Sequence, residues 1–465
     1  MAESAQLNIV FILTDDQGVW AAGCYGNPEI RTPNIDRLAQ EGMLFRNFFV
    51  ATPVCSPSRA TFLTGRIPSQ HGVHDWIREG NVWPNVAQYI EREVCYTDVL
   101  ARYGWVCGLC GKWHLGASQI PQHGFAHWYV HQRGGGPYYN APMIRDGKLI
   151  NEPGYITDKI TDDALEFLEA HAHTPQPFYL SVHYTAPHSP WDCHPQEIVD
   201  SYDDCPFESC PQEPRHPWAI SLTDRCLGNR EMLKGYFAAV TAMDMNVGRI
   251  LDKLEELGMR ENTLIIFASD NGFSCGHHGF WGKGNGTNPR NMYENSIKVP
   301  FIASHPGHIP AGVVQEAMVS AYDFMPTLLE YVGLPVPQGR NIVGQSFLPI
   351  LLGQTDSGRD HVVIYDEYGN TRMIRTKRWK YVHRYPDGPN ELWDLENDPD
   401  ERRNLVDDPA YQGLIRELRG EMEAWFARYV DPEVDGLKQD VTGEGQLRPV
   451  FREWADDTPA YFGEE

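Results

Sequence analysis

Two pairs of oxygen ligands stand directly after short apolar runs. Asp15-Asp16 follows Asn8–Thr14, and Asp270-Asn271 follows Thr263–Ser269. Three carboxylates and an amide make an all-oxygen set without imidazole or thiolate. Such a set suits a hard divalent cation, and Ca²⁺ tolerates an irregular cage better than Mg²⁺ does. Either pair alone could simply cap the next turn; two pairs at equivalent strand ends favour the metal. Basic groups close other runs in the same way. Lys112 and His114 follow Trp105–Cys110, His188 follows Phe178–Tyr184, and Lys283 sits in Gly282-Lys283-Gly284. One such residue alone would be read as structural, but a shared strand-end rim would bring all of them together. In Cys55-Ser-Pro-Ser-Arg59, Cys55 could be a thiolate nucleophile with Arg59 one helical turn on to lower its pKa. It could equally be a core thiol ahead of a helix started by Ser and Pro.

The elements that must position these groups follow one pattern: short, fully apolar strands with helical segments between them. Strands apolar on both faces belong to a mainly parallel sheet covered by helices. Thr32–Gly42 has a Thr cap, an early Pro and a terminal Gly, so it predicts a helix. Glu231–Leu257 carries Phe237, Val240, Met243, Val247, Ile250, Leu251 and Leu254 at helical spacing, and Ile144–Ile150 reads as a hairpin turning on Asp146-Gly147. From about residue 356 the pattern changes to short alternating strands at His361–Asp366, Arg372–Thr376, Lys380–Arg384 and Glu391–Leu395, then a helix over Asp408–Val430. The expected organisation is an α/β catalytic domain over 1–355 and a smaller α+β subdomain over 356–465 with an antiparallel sheet. Its polar tail from Asp431, with Phe451, Trp454, Tyr461 and Phe462, is expected to wrap the body.

Composition narrows the classes. The chain has 465 residues, 42% hydrophobic and 22% charged, which is ordinary globular usage and excludes a disordered or fibrous protein. The formal net charge is −24. A field of that sign repels polyanions, so nucleic acid is not an expected partner, and a small anionic substrate would have to be held by local cations. No apolar run approaches the ~18–20 residues of a membrane helix, and Met1–Gln6 lacks the features of a secretory signal. The reading is cytoplasmic as written, or periplasmic or secreted if a signal had been removed, with no membrane partner. All ten cysteines lie at or before Cys275. Cys107-x-x-Cys110 falls within an apolar strand and reads as buried thiols, while Cys193, Cys205, Cys210 and Cys226 could pair or bind metal.

The stretch Cys55-Ser-Pro-Ser-Arg59-Ala-Thr-Phe-Leu-Thr64-Gly65-Arg66 resembles the signature of the formylglycine-dependent sulfatases. The resemblance extends, in order, over about residues 7–430. Asn8–Asp16 is similar to that family's opening strand with its metal aspartates. Gly111-Lys-Trp-His-Leu-Gly116, Ala186-Pro-His188-Ser-Pro190, Ser269-Asp-Asn-Gly272 and His278-Gly-Phe-Trp-Gly-Lys283-Gly284 resemble its further boxes. Asn390–Pro399 looks like a hairpin of its C-terminal subdomain. One departure is Asn285–Met292, inserted before Tyr293-Glu-Asn-Ser296, where the family usually moves quickly to Tyr-Glu-Gly-Gly.

The resemblance implies an alkaline phosphatase-like fold and hydrolysis of a sulfate monoester, with a sulfated saccharide preferred over a simple aryl sulfate. It implies that Cys55 is converted to Cα-formylglycine by a formylglycine-generating or equivalent maturation enzyme. The hydrated aldehyde would attack sulfur, then expel sulfate with C–O cleavage. By the same resemblance Asp15, Asp16, Asp270, Asn271 and residue 55 contact the metal, Arg59 orients residue 55, and Lys112 helps bind sulfate. His114 would be the base for the second proton, and His188, with Lys283, would protonate the leaving oxygen. His74, Trp76 and Arg78, which follow the signature helix, are candidate sugar ligands. Arg133–Tyr139, His277 and His278 are further candidates. A phosphate or phosphonate ester hydrolase on the same scaffold, and a binding protein never matured at Cys55, are the rival readings.

Overall fold

The computed structural model describes residues 7–84, 86–355, 364–451 and 460–461. In chain order the strands are β1 (Asn8–Thr14), β2 (Met43–Phe49), β3 (Val106–Gly111), β4 (Phe125–His131), β5 (Ala141–Arg145), β6 (Lys148–Glu152), β7 (Phe178–His183), β8 (Thr263–Ser269), β9 (Ser274–Cys275), β10 (Trp281–Gly282), β11 (Lys298–Ser304), β12 (Val313–Ser320), β13 (Ile364–Tyr368), β14 (Thr371–Arg375), β15 (Trp379–Arg384) and β16 (Glu391–Asp394). Ten of them form one sheet in the order β12-β2-β11-β8-β1-β7-β3-β4-β5-β6, β9 and β10 form a small ribbon, and β13–β16 form a separate antiparallel sheet.

The centre of the large sheet is parallel, and its register aligns the strand ends. Thr14 lies beside Ser269, Leu13 beside His183, and His183 beside Gly111. The residues that follow β1, β3, β7 and β8 therefore emerge on one rim, where ligands collect in open α/β sheets.

Alternating side chains along each central strand feed two cores. Val10, Ile12, Leu180, Val182, Ile265 and Phe267 face one side, while Ile9, Phe11, Leu13, Leu109, Ile266 and Ala268 face the other. The first core is covered by the helices α3 (Ile156–His171) and α4 (Arg230–Glu256). The second includes Phe62 of α2 (Cys55–Thr64), whose ring lies 5.7 Å from that of Phe11. Each such large apolar side chain contributes roughly 1.5–3 kcal/mol on full burial. The Thr32-capped segment is the short helix α1 (Pro33–Gln40), and Asp146 and Gly147 take positive φ at the tip of the β5–β6 hairpin.

Besides β5 of the hairpin, which is antiparallel to β4, one further strand runs against the parallel set. β11 lies antiparallel to both β8 and β2. Its two-sided burial made it look like its parallel neighbours, but burial on both faces does not encode direction.

The C-terminal sheet packs through Tyr365, Ile374, Tyr381 and Leu392 onto α5 (Gln412–Tyr429), and the same cluster includes Ala51, Ile67 and Tyr322 of the preceding chain. Residues 431–451 lie along the body: the amide of Asp431 donates to Ser69 O at 2.8 Å, and those of Gly443 and Gly445 donate to the Asp75 carboxylate at 3.0 Å each. The 355/356 boundary, His361–Val363, Trp454 and Phe462 lie outside the described residues.

Candidate active site

Two strand tips and one helix start build the centre. Asp15, Asp16, Asp270 and Asn271 are all buried at the ends of β1 and β8, and carboxylate oxygens of the three acids lie within 4.8 Å of one another. Asp16 has φ 63°, a left-handed conformation that costs energy for a side chain with a Cβ and so marks a position held by its surroundings. Asn271 Nδ2 donates to Asp16 Oδ1 at 2.7 Å, while its buried Oδ1 has no partner. Cys55 opens α2, every residue of which is buried. Its Sγ lies 3.5 Å from Asp15 Oδ1. The N-terminus of the helix adds partial positive charge beside it.

Three cations converge on the acids. Arg59 donates through Nε to Asp270 Oδ2 at 2.9 Å and through a terminal nitrogen to Lys112 O at 2.9 Å. Lys112 pairs with Asp15. Lys283 reaches Asp16 Oδ1 at 2.5 Å and Cys55 Sγ at 2.7 Å. Burial alone would raise the Asp15 pKa, but Lys112, followed by His188, Lys283 and Arg59, holds it well below the usual carboxylate range. Asp270 is pushed upward by burial and then by the Asp15 charge, as crowded carboxylates require.

The donor set fits a hard divalent ion. All donors are oxygens, the three acids are already clustered, and the orphaned Asn271 Oδ1 is an acceptor with nothing to accept. Three carboxylates against Arg59, Lys112 and Lys283 balance to zero, so a divalent ion would leave the centre positive and able to hold a small anion inside a chain of net charge −24.

The two histidines differ in setting. His114 Nε2 hydrogen-bonds Ile77 O at 2.8 Å and must carry the proton there, which leaves its partnerless Nδ1 bare. Burial, then Lys112, keeps its pKa well below the ordinary imidazole value. His114 also has φ 57°, and a Cβ at Gly134 would come within 2.1 Å of its ring, so Gly134 is required for that loop to close over it. His188 is half-buried; its Nδ1 bonds Ser189 O at 2.9 Å and its Nε2 stands 3.8 Å from Asp16 Oδ2.

The unmodified thiol of Cys55 is a poor nucleophile. Arg59 is committed to Asp270 and Lys112 O instead of lowering the thiol's pKa, and burial, with Asp15, pushes that pKa up to about 12.

A cavity of about 540 Å³ opens above these groups. Cys55, Lys112, His114, His188 and Lys283 line its floor, and Trp76, Ile77, Arg78, Arg133–Gly135 and Asn285 line its walls. Trp76 and Arg78 thus line the cavity, while three other candidate ligands do not. His74 is fully buried under the tail beside Gly436. His277 bonds Ser209 O at 2.9 Å and packs on Trp20, and His278 stacks on Tyr293 at 4.0 Å. Cys107 and Cys110 are buried in β3, and all ten cysteines are free thiols.

Sequence reasoning missed the contribution of Asn285 and of the tail. Asn285 Nδ2 and Trp76 Nε1 both donate to Gly443 O at 3.1 Å, and the Gln446 amide donates to Trp76 O at 2.7 Å. Buried His131 at the end of β4, which interacts electrostatically with Lys112 and Asp15, was also missed. No spacing rule links residues so distant in the chain.

Acid pairs on adjacent parallel strand tips, facing a helix that starts at the cavity floor, are the arrangement of an ester hydrolase of the alkaline phosphatase-like fold. The sequence profile described as Sulfatase matches residues 7–334, and that of the N-sulphoglucosamine sulphohydrolase C-terminal region matches 276–427. The chain belongs to the sulfatase family, whose members are sulfuric ester hydrolases. It is 29% identical to the N-acetylglucosamine-6-O-sulfatase of Bacteroides thetaiotaomicron over 96% of this chain and 90% of that one. It is 30% identical to the ulvan-active sulfatase of Formosa agariphila, covering 92% of this chain and 83% of that protein. A solved structure of a complex with its substrate D-glucosamine-2-N,6-O-disulfate superposes with a TM-score of 0.79 at 29% identity, covering 93% of this chain and all of the other. No helix among the described residues is long and apolar enough to cross a membrane.

Proposed function

We propose that this protein hydrolyses a sulfate monoester carried by a saccharide, using Ca²⁺ and a formylglycine made from Cys55. The observation that carries the reading is the convergence of three buried carboxylates and three cations on residue 55 at the floor of an open cavity. The names of its relatives support a sugar sulfate, and the all-oxygen, irregular donor set supports calcium.

Asp15, Asp16, Asp270 and Asn271 would hold the ion. Bound there, it would neutralise sulfuryl oxygens and lower the pKa of a hydroxyl at residue 55. Hydrated formylglycine would supply two hydroxyls on one carbon, one to attack sulfur and one whose deprotonation releases sulfate. Arg59 fixes the helix under residue 55 through Asp270, and Lys112 and Lys283 stabilise negative charge as it gathers on the sulfuryl group. His114 accepts a proton at its bare Nδ1. His188, with its Nδ1–H fixed on Ser189 O, would act in its doubly protonated form and donate the Nε2 proton to the departing alcohol oxygen.

The test is product release from matched sulfate, phosphate and phosphonate esters of one aryl alcohol, and from sulfated sugars. The sulfate esters are expected to turn over fastest, to stop after chelation, and to recover with calcium better than with zinc. Preference for phosphate or phosphonate would favour the rival hydrolase.

A further inference from the structure

Arg78 and Arg133 line two cavities, the catalytic one and a smaller neighbour. The smaller pocket, of about 70 Å³, is lined also by Glu79, Asn81, Val82, Trp83 and Pro84. Asn81 is only 2% exposed, yet neither its Nδ2 nor its Oδ1 has a partner. A buried amide left unmatched on both sides is unusual unless something else completes it. Arg133 is exposed and makes no hydrogen bond or ion pair among the described residues, whereas Arg78 donates to Glu444 O at 3.3 Å and leans over Trp76. Arg133 therefore brings to this pocket a guanidinium that no described residue pairs. At its rim the Trp83 ring is 74% exposed, a flat apolar surface of the kind a sugar face covers.

We propose that this pocket is a subsite for a second anionic group on the substrate, held between Arg78 and Arg133, with its sugar ring against Trp83 and a ring hydroxyl or amide paired with Asn81. The inference rests on the saccharide sulfatase reading and deepens it: the substrate is polyanionic, not a sugar with a lone sulfate. A planar guanidinium pairs in bidentate fashion with a carboxylate or a sulfate, so both groups share the recognition chemistry.

The test compares three substrates with the full-length active protein: a monosulfated hexosamine, the same sugar with a second sulfate, and the monosulfated sugar linked to a hexuronate. Arg133→Ala is expected to lower kcat/KM on at least one doubly anionic substrate by about ten-fold more than on the monosulfated one, mainly through KM. Arg133→Lys should restore part of that difference. The substrate that responds identifies the group as sulfate or carboxylate. Equal losses on all three substrates, or no loss, would overturn the subsite while hydrolysis of the monosulfated sugar upholds the sulfatase reading. If no sulfated sugar is hydrolysed, that reading falls by itself. The subsite is then decided by calorimetric titration with the disulfated hexosamine and with the hexuronate-linked disaccharide. A Kd weakened about ten-fold by Arg133→Ala for either probe supports it, and an unchanged Kd for both refutes it.

Discussion

Arg59 Nε lies 2.9 Å from Asp270 Oδ2, with both side chains buried, and this pair ties the helix that begins at Cys55 to the tip of β8. Removing one partner of a buried pair strands the other charge, at a cost of about 3–5 kcal/mol. Arg59→Ala should therefore lower the denaturation midpoint as well as turnover, and Arg59→Lys should recover part of the stability. Urea unfolding checks this; an Arg59→Ala midpoint equal to wild type would mean that the pair does not hold the site together.

His188 faces the acids through Nε2 while its Nδ1 is anchored on the backbone. A general acid matters most when the leaving alcohol is a weak acid itself. His188→Ala should cost roughly 10²–10⁴-fold in kcat on a sugar sulfate and much less on a nitrophenyl sulfate. Equal losses on both substrates would remove it from that role.

The tail braces the cavity wall at Gly445. This residue has φ 110°, and a Cβ there would approach Trp76 and Arg78 side-chain atoms to 3.0 Å. Gly445→Val should raise KM for a sulfated saccharide roughly five-fold or more, with a smaller change in kcat. Steady-state kinetics on the sugar decide it, and an unchanged KM would mean that the tail does not position the wall.

Buried neutral histidines set the response to acid. Burial pushes His74 and His194 down to about 4, so below pH 6.5 the unfolded chain takes up protons that the fold refuses. Stability then falls as pH drops from 6.5 towards 4, by up to about 1.4 kcal/mol per pH unit for each proton. Asp244, raised to about 6 by burial, acts in the opposite sense between pH 3.8 and 6. The clean measure is the difference between wild type and His74→Leu. The variant's melting temperature should decline less steeply over that range, and identical slopes would show that His74 is not a buried neutral group.

The placement of the two acid pairs on one rim was legible because consecutive polar residues at the ends of wholly apolar runs can only fall on one edge of a parallel sheet. Thr14 beside Ser269 is that inference in coordinates. The walls were legible only in part. Trp76 and Arg78 line the cavity, but neighbouring His74 turns beneath the tail, because residue type does not report which way a loop side chain faces. Asn285 and Gly443 join through a contact 158 residues apart in the chain. The direction of β11 escaped for a related reason: two-sided burial gives it the same pattern as β8.

The most direct test measures the state of residue 55 against activity. Samples prepared with different extents of maturation would be digested, the peptide spanning residue 55 weighed, and sulfate release measured on the same samples. Sulfate release should rise in proportion to the aldehyde fraction and vanish in Cys55→Ala, which should remain folded. Full activity from a sample carrying only cysteine at 55 would contradict the account.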